Sequence, residues 1–188
     1  MIEIVNYRSI WPTEFQAIAK RQRSALGELA LRIDHIGSTS VPGLAAKDVI
    51  DIQISVAEFS SDVIAAMASI GYFLPDKHYY DHVPPEFEGD QKNWQKMYFK
   101  APENQRRTHT HIRVLGLANQ IYPLLFRDYL RCHLAMAQAY AEFKRRLAAG
   151  LADPNTYPEV KDPAVDLIYF AAQDWAREIG WQMGQSDA

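Results

Sequence analysis

From Ile50 to Val56, isoleucine or valine alternates without a break with Asp51, Gln53 and Ser55. Successive side chains of a β-strand point to opposite faces, so this run is buried on one face and polar on the other. Such a strand requires an apolar layer against Ile50, Ile52, Ile54 and Val56 and a second environment for the acid and the amide, which excludes an all-helical bundle. Read from Val49, the strand places Val49 on the Asp51 face.

The neighbouring segments surround that strand with helices and further strands. Glu3 to Tyr7 is a short β-type run, and Trp11-Pro12-Thr13 opens a helix whose buried stripe is Phe15, Ile18, Ala19, Leu26, Leu29 and Ala30. Arg32 to Ile36 is a strand broken by the small-residue turn Gly37-Ser38-Thr39-Ser40-Val41-Pro42-Gly43. Ser60 to Ile70 suits a helix capped by Ser60 or Ser61 and stopped by Gly71. Asp76 to Lys92 is a long polar loop, including His78, Asp81 and His82, of the kind that carries function. Trp94 to Phe99 and Thr108 to Leu115 form a hairpin across Ala101 to Arg107, and the second strand sets His109, His111, Arg113 and Leu115 opposite Thr108, Thr110, Ile112 and Val114. From Ala118 the period is helical, with Gly150 to Pro163 and its three prolines separating the last helix from the one before. The pattern predicts an α+β fold: a mixed sheet of about five strands with helices on one face and a C-terminal helical extension. The chain reads as one domain, a core over about 1–117 and an extension over about 118–188.

Charge and cysteine content narrow the functional classes. Twenty Lys and Arg against 23 Asp and Glu give a net charge of −3, so no global field draws the chain to nucleic acid or anionic lipid, and any polyanion must meet a local basic cluster. A single cysteine, Cys132, excludes a disulfide framework and a Cys-rich zinc site. No signal-peptide pattern opens the chain and no run of about 18 apolar residues occurs, so a cytoplasmic location without membrane insertion is expected.

The chemistry concentrates between the two first strands. Gly37, Ser38, Thr39 and Ser40 offer unhindered N–H groups and hydroxyls to a phosphate, and Asp51 on the adjacent strand can hold a divalent ion against it. The same residues also suit a plain turn and a strand end. His109 and His111 share one strand face, where imidazoles bind a transition metal, act as acid or base, or simply line a cleft; His35 is a further candidate for that face. Asp34 and Asp48 are expected to point elsewhere. Lys47 is the candidate cation at the turn. Arg127 and Arg131 lie four apart on one helix face, where guanidinium groups can clamp a phosphate or carboxylate, with Asp128 projecting away; the alternative is an exposed face or an internal ion pair, and Lys144-Arg145-Arg146 fits that alternative better. Tyr129, Tyr140 and Tyr157 read as core aromatics.

The run HIGSTSVPGLAAKDVIDI, with THTHIRV, FRDYLRCH and YAEFKRRLA downstream, resembles the GrpB family, which is assigned to the nucleotidyltransferase superfamily of the DNA polymerase beta type. The resemblance implies that Gly37 and Ser38 hold the triphosphate of a nucleotide. It also implies magnesium on two acids one residue apart and a third from a later strand; the cofactor expected is Mg or Mn, with Zn the alternative if His109 and His111 are ligands. Asp51 fits the first acid, but Gln53 stands at the second position, and the later strand brings His109, His111 and Arg113 instead of an acid. The expected metal ligands are therefore Asp51 and His111, and the expected catalytic groups are Asp51, His109 and His111. Three activities remain open: transfer of a nucleotidyl group from a nucleoside triphosphate to a small-molecule or protein acceptor; an inactive module binding a nucleotide or phosphate ligand; and a histidine-based metal-dependent hydrolase.

Overall fold

The computed structural model describes residues 2–75, 79–85, 87 and 89–188. The elements run α1 (Trp11–Leu26), β1 (Arg32–Ile36), β2 (Ile50–Val56), α2 (Ser61–Ser69), β3 (Tyr79–Tyr80), β4 (Gln95–Lys100), β5 (Thr108–Val114), α3 (Ala118–Cys132), α4 (Leu134–Gly150) and α5 (Tyr157–Ile179). The strands form one five-stranded sheet in the order β1-β2-β5-β4-β3, mixed as expected. β2 and β5 are parallel, and every other pair is antiparallel.

Alternation along β2 governs both faces of the sheet. Ile50, Ile52, Ile54 and Val56 join Ile33, Met97, Phe99 and Ile112 under the apolar stripes of α1 and α2, led by Trp11, Phe15 and Met67. The Ser60 hydroxyl accepts from the Val63 N–H and fixes the start of α2. On the opposite face, α3, α4 and α5 gather around a second apolar cluster that also takes in Val41, Leu44 and Ala45 from the segment between β1 and β2. The helical extension thus folds back over the polar face of the sheet and leaves a cleft between them.

Three expectations shift. Glu3 to Tyr7 is not a strand: Val5 makes one antiparallel bridge with Ala46, because the segment it meets is irregular and offers a single partner. The polar loop is shorter than its sequence suggests, since Tyr79 and Tyr80 pair with β4 and Gln91–Trp94 form a 3-10 turn; His78 lies outside the described residues. The prolines do not hold the chain open up to Pro163, because Pro158 occupies the first turn of α5, where no N–H bond is lost, and Pro163 forfeits only a bond to the carbonyl of exposed Glu159.

After Gly180, which ends α5 in the left-handed conformation, residues 181–188 run back along β1. Ser186 accepts from the Ile33 N–H at 2.8 Å, Asp187 Oδ2 accepts from the His35 N–H at 2.9 Å, and the Ala188 N–H donates to the Ile33 carbonyl at 3.1 Å.

Candidate functional site: a lysine-lined cleft

The antiparallel pairing of β1 and β2 sets Ile36, the last residue of β1, against Asp51, the second of β2. The chain must turn immediately above that carboxylate, and Gly37 does so with φ 68° and ψ −171°, a region open essentially to glycine alone. A Cβ at this position would lie 2.2 Å from Asp51 Oδ2, so the glycine is what allows turn and acid to coexist. Ser38–Ser40 then form one 3-10 turn that presents the Ser38 hydroxyl to the cleft.

Parallel pairing of β2 with β5 puts His109 beside Asp51 and His111 beside Gln53, on the polar face. His109 Nδ1 donates to Asp51 Oδ1 at 3.0 Å, which fixes the imidazole and leaves Nε2 as the nitrogen available to a ligand. Tyr98 of β4 lies tilted against both rings, 5.9 Å from His109 and 5.3 Å from His111 between centroids. Burial pushes the His111 imidazole well below its ordinary pKa, and neighbouring Lys96 and Arg113 add to that shift, so the ring is neutral near pH 7.

The extension supplies cations. Lys144 of α4 is buried, and its Nζ donates to Ser38 Oγ at 2.8 Å and to the Ala45 carbonyl at 2.6 Å. Burial, with Lys161 and Arg145 nearby, lowers its pKa to about 7, against the pull of Asp51. Lys161 of α5 shows the opposite balance: burial disfavours its charge, but Tyr140, Asp162 and Asp51 outweigh burial and raise its pKa. Lys47 lies 3.7 Å over the Tyr157 ring, and burial lowers its pKa. These three lysines, Lys96, Ser38, Asp51, His109 and His111 all line one cavity of about 420 Å³.

The model of the GrpB protein family matches residues 1–170. The chain belongs to the GrpB family. Among solved structures, GrpB from Enterococcus faecalis superposes with a TM-score of 0.73 at 29% identity, over 92% of this chain and 99% of that one. The Cid1 poly(U) polymerase with MgGTP bound matches at a TM-score of 0.50 and 12% identity, over 76% of this chain and 44% of Cid1, and so shares the fold alone. Curated relatives include a dephospho-CoA kinase of Mycolicibacterium paratuberculosis, 36% identical over 92% of this chain and 46% of its own length. A UPF0157 protein of Pseudomonas aeruginosa is 36% identical over 89% of this chain and 66% of its own length. The chain spans about half the length of the dephospho-CoA kinase and about two thirds of the UPF0157 protein. The nucleotidyltransferase-like fold expected of a GrpB chain is thus present, and no described helix is long and apolar enough to cross a membrane.

Several residues singled out in the GrpB sequence lie elsewhere. Arg127 is no clamp: buried in α3, it donates to the His35 carbonyl at 3.0 Å, to Asp187 at 2.7 Å and to Asp128 at 2.8 Å, so Asp128 does engage it. Arg131 donates twice to the Ser40 carbonyl, behind the turn, and the Ser40 hydroxyl returns to Gly37 O. Thr39 borders the cavity, but its hydroxyl lies 3.0 Å from His35 Nε2. His35 pairs with Ile52 on the apolar face, away from Asp51, where it stacks on Phe15 and burial lowers its pKa to about 4. Asp34 does share the Asp51 face, contrary to expectation, yet Arg32 holds both its oxygens.

Gln53 and Asp81 are fully engaged. Gln53 donates to Gln120 O at 2.9 Å and accepts from Arg113 at 2.7 Å. Asp81 takes both arms of Arg113 together with Lys96 and Asn119, and although burial favours its neutral form, those cations hold its carboxyl well below the usual carboxylate range. The donor set does not suit a divalent ion: among the described residues no three His, Cys, Asp or Glu side chains come together as a metal site. Asp51 is the acid expected of the fold, and one of its oxygens is already on His109.

The sequence also concealed Lys144 and Lys161. Lys144 stands three after Ala141 and four after Tyr140, on the buried stripe of its helix, and Lys161 stands four before Val165. Tyr140 and Tyr157, read as core aromatics, are also walls of the cleft.

Proposed function

We propose that the cleft binds a nucleoside triphosphate, with its phosphate chain on the Gly37-Ser38 turn beneath Lys47, Lys144 and Lys161. The observation that carries this reading is the convergence of Lys47, Lys144 and Lys161 on one cavity at the Gly37-Ser38 turn, with Lys96 beside them on Asp81, in a chain whose net charge is −3. The shared fold supports it, since the Cid1 structure holds MgGTP. Calorimetric titration with the four common nucleoside triphosphates should find at least one ligand. Lys144→Met and Lys161→Met should each weaken it by about tenfold or more, the order of one charge-assisted hydrogen bond, while Arg146→Met on the exposed side of α4 should not. Unchanged affinity in both lysine variants would remove the reading.

Binding should depend on pH through Lys144. A phosphate stabilises its ammonium form, so above pH 7 binding must take up a proton, and affinity should fall by up to about tenfold per pH unit. Lys144→Met should bind more weakly and lose this slope.

The His109–Asp51 pair favours a second reading, nucleotidyl transfer. An acceptor hydroxyl would give its proton to His109 Nε2 and attack the α-phosphorus; the bond to the β-phosphate oxygen would break and pyrophosphate would leave with the electron pair. Asp51 would orient the imidazole and stabilise the imidazolium. Pyrophosphate release that is lost in His109→Ala with nucleotide affinity retained would distinguish transfer from binding alone.

A further inference from the structure

We infer that this cleft takes its polyphosphate free of divalent metal, with lysine ammonium groups occupying the electrostatic role that the resemblance would give to magnesium. The inference rests on the nucleotide reading above and concerns which form of that ligand is selected. Magnesium keeps several waters and prefers anionic oxygens held in octahedral positions. Asp51 offers one free oxygen, because His109 holds the other. Gln53, at the second acid position, faces Arg113 and not the cavity, so even an acid there would form an ion pair with the guanidinium before it reached a metal. The Asp81 carboxylate is engaged by Arg113, Lys96 and Asn119.

The cations are built in. Lys144 Nζ stands 2.8 Å from Ser38 Oγ, at the turn itself, and Lys161 lines the same cavity together with Tyr140. A triphosphate that arrives bare meets these charges directly. One that arrives with magnesium has already been partly neutralised, gains less from each lysine, and brings a dication to a lining where four lysines face the three carboxylates of Asp51, Asp81 and Asp162. Magnesium and the cleft therefore compete for the same oxygens, and metal should weaken binding instead of supporting it.

Calorimetry of the intact protein with ATP and with inorganic tripolyphosphate, in EDTA and in saturating magnesium chloride at matched ionic strength, tests this. Binding about tenfold or more tighter in EDTA is expected, with the advantage reduced in Lys144→Gln and Lys161→Gln variants whose melting curves confirm folding. Equal or tighter binding with magnesium would overturn the inference and leave the nucleotide reading standing. Tripolyphosphate bound in EDTA without any nucleotide would uphold the metal-free cleft and overturn the nucleoside component. Silence of both compounds in both buffers would overturn both. Manganese titrated alone against the ligand-free protein should show no stoichiometric binding; a tight single site lost in Asp51→Ala would also overturn the inference.

Discussion

Gly37→Ala should lower stability by about 2 to 4 kcal/mol and the melting temperature by roughly 5 to 15 °C, a large effect for one methyl group. Two causes contribute. The backbone at φ 68° and ψ −171° is strained for any L residue, and the new Cβ would sit 2.2 Å from Asp51 Oδ2. Relief requires the carboxylate to rotate, which breaks its bond to His109, so the variant should lose the cleft geometry as well as stability. Adding Asp51→Ala separates the causes: Gly37→Ala should cost less in that background, because the clash with the carboxyl group is gone while the 3.0 Å approach to the residue 51 Cβ and the backbone part stay. An equal loss in both backgrounds would show that the contact with Asp51 is not what fixes the glycine.

Arg113→Met should cost about 3 to 5 kcal/mol in urea unfolding at neutral pH, the range for breaking one side of a buried ion pair. The guanidinium binds both Asp81 oxygens at 2.8 Å and Gln53 at 2.7 Å, and its removal strands an amide oxygen and half-releases a carboxylate. The pH dependence has a definite sign. Because the folded state holds the Asp81 carboxyl well below its ordinary value, the pair stabilises the protein fully above about pH 4. That contribution declines as acid protonates the unfolded chain first, so the gap between wild type and variant should narrow progressively below about pH 4. Arg113→Lys, which keeps the charge but not the two-pronged geometry, should fall between them.

The strands around the site were readable because their information is local. Alternation in β2 and β5 assigned Asp51, His109 and His111 to faces before any partner was known, and the break at Gly37-Ser38 marked the end of β1. Register was not readable, and it decides the remainder. Arg32 to Ile36 carries an isoleucine on each face, so only the pairing of His35 with Ile52 shows that the histidine is buried and Asp34 is not remote. Long-range partners account for the other gaps. Arg127 and Lys144 both belong to basic helical segments; one serves a strand end and a distant aspartate, the other a serine 106 positions earlier. Lys144 gave a usable signal in its helical phase, but a Lys-Arg-Arg run conceals it among exposed neighbours.

Sheets are most vulnerable at their margins, where unpaired N–H and C=O groups recruit other chains. Here the margin at β1 is closed from within: Ser186, Asp187 and Ala188 satisfy Ile33 and His35 largely through side chains, without adding a regular sixth strand. At the other margin β3 offers, among the described residues, Tyr79 and Tyr80, a short template for pairing. Residues 181–188 therefore act as a stopper against strand addition, and Arg127, which grips Asp187 and the His35 carbonyl together, is the rivet that holds it in place.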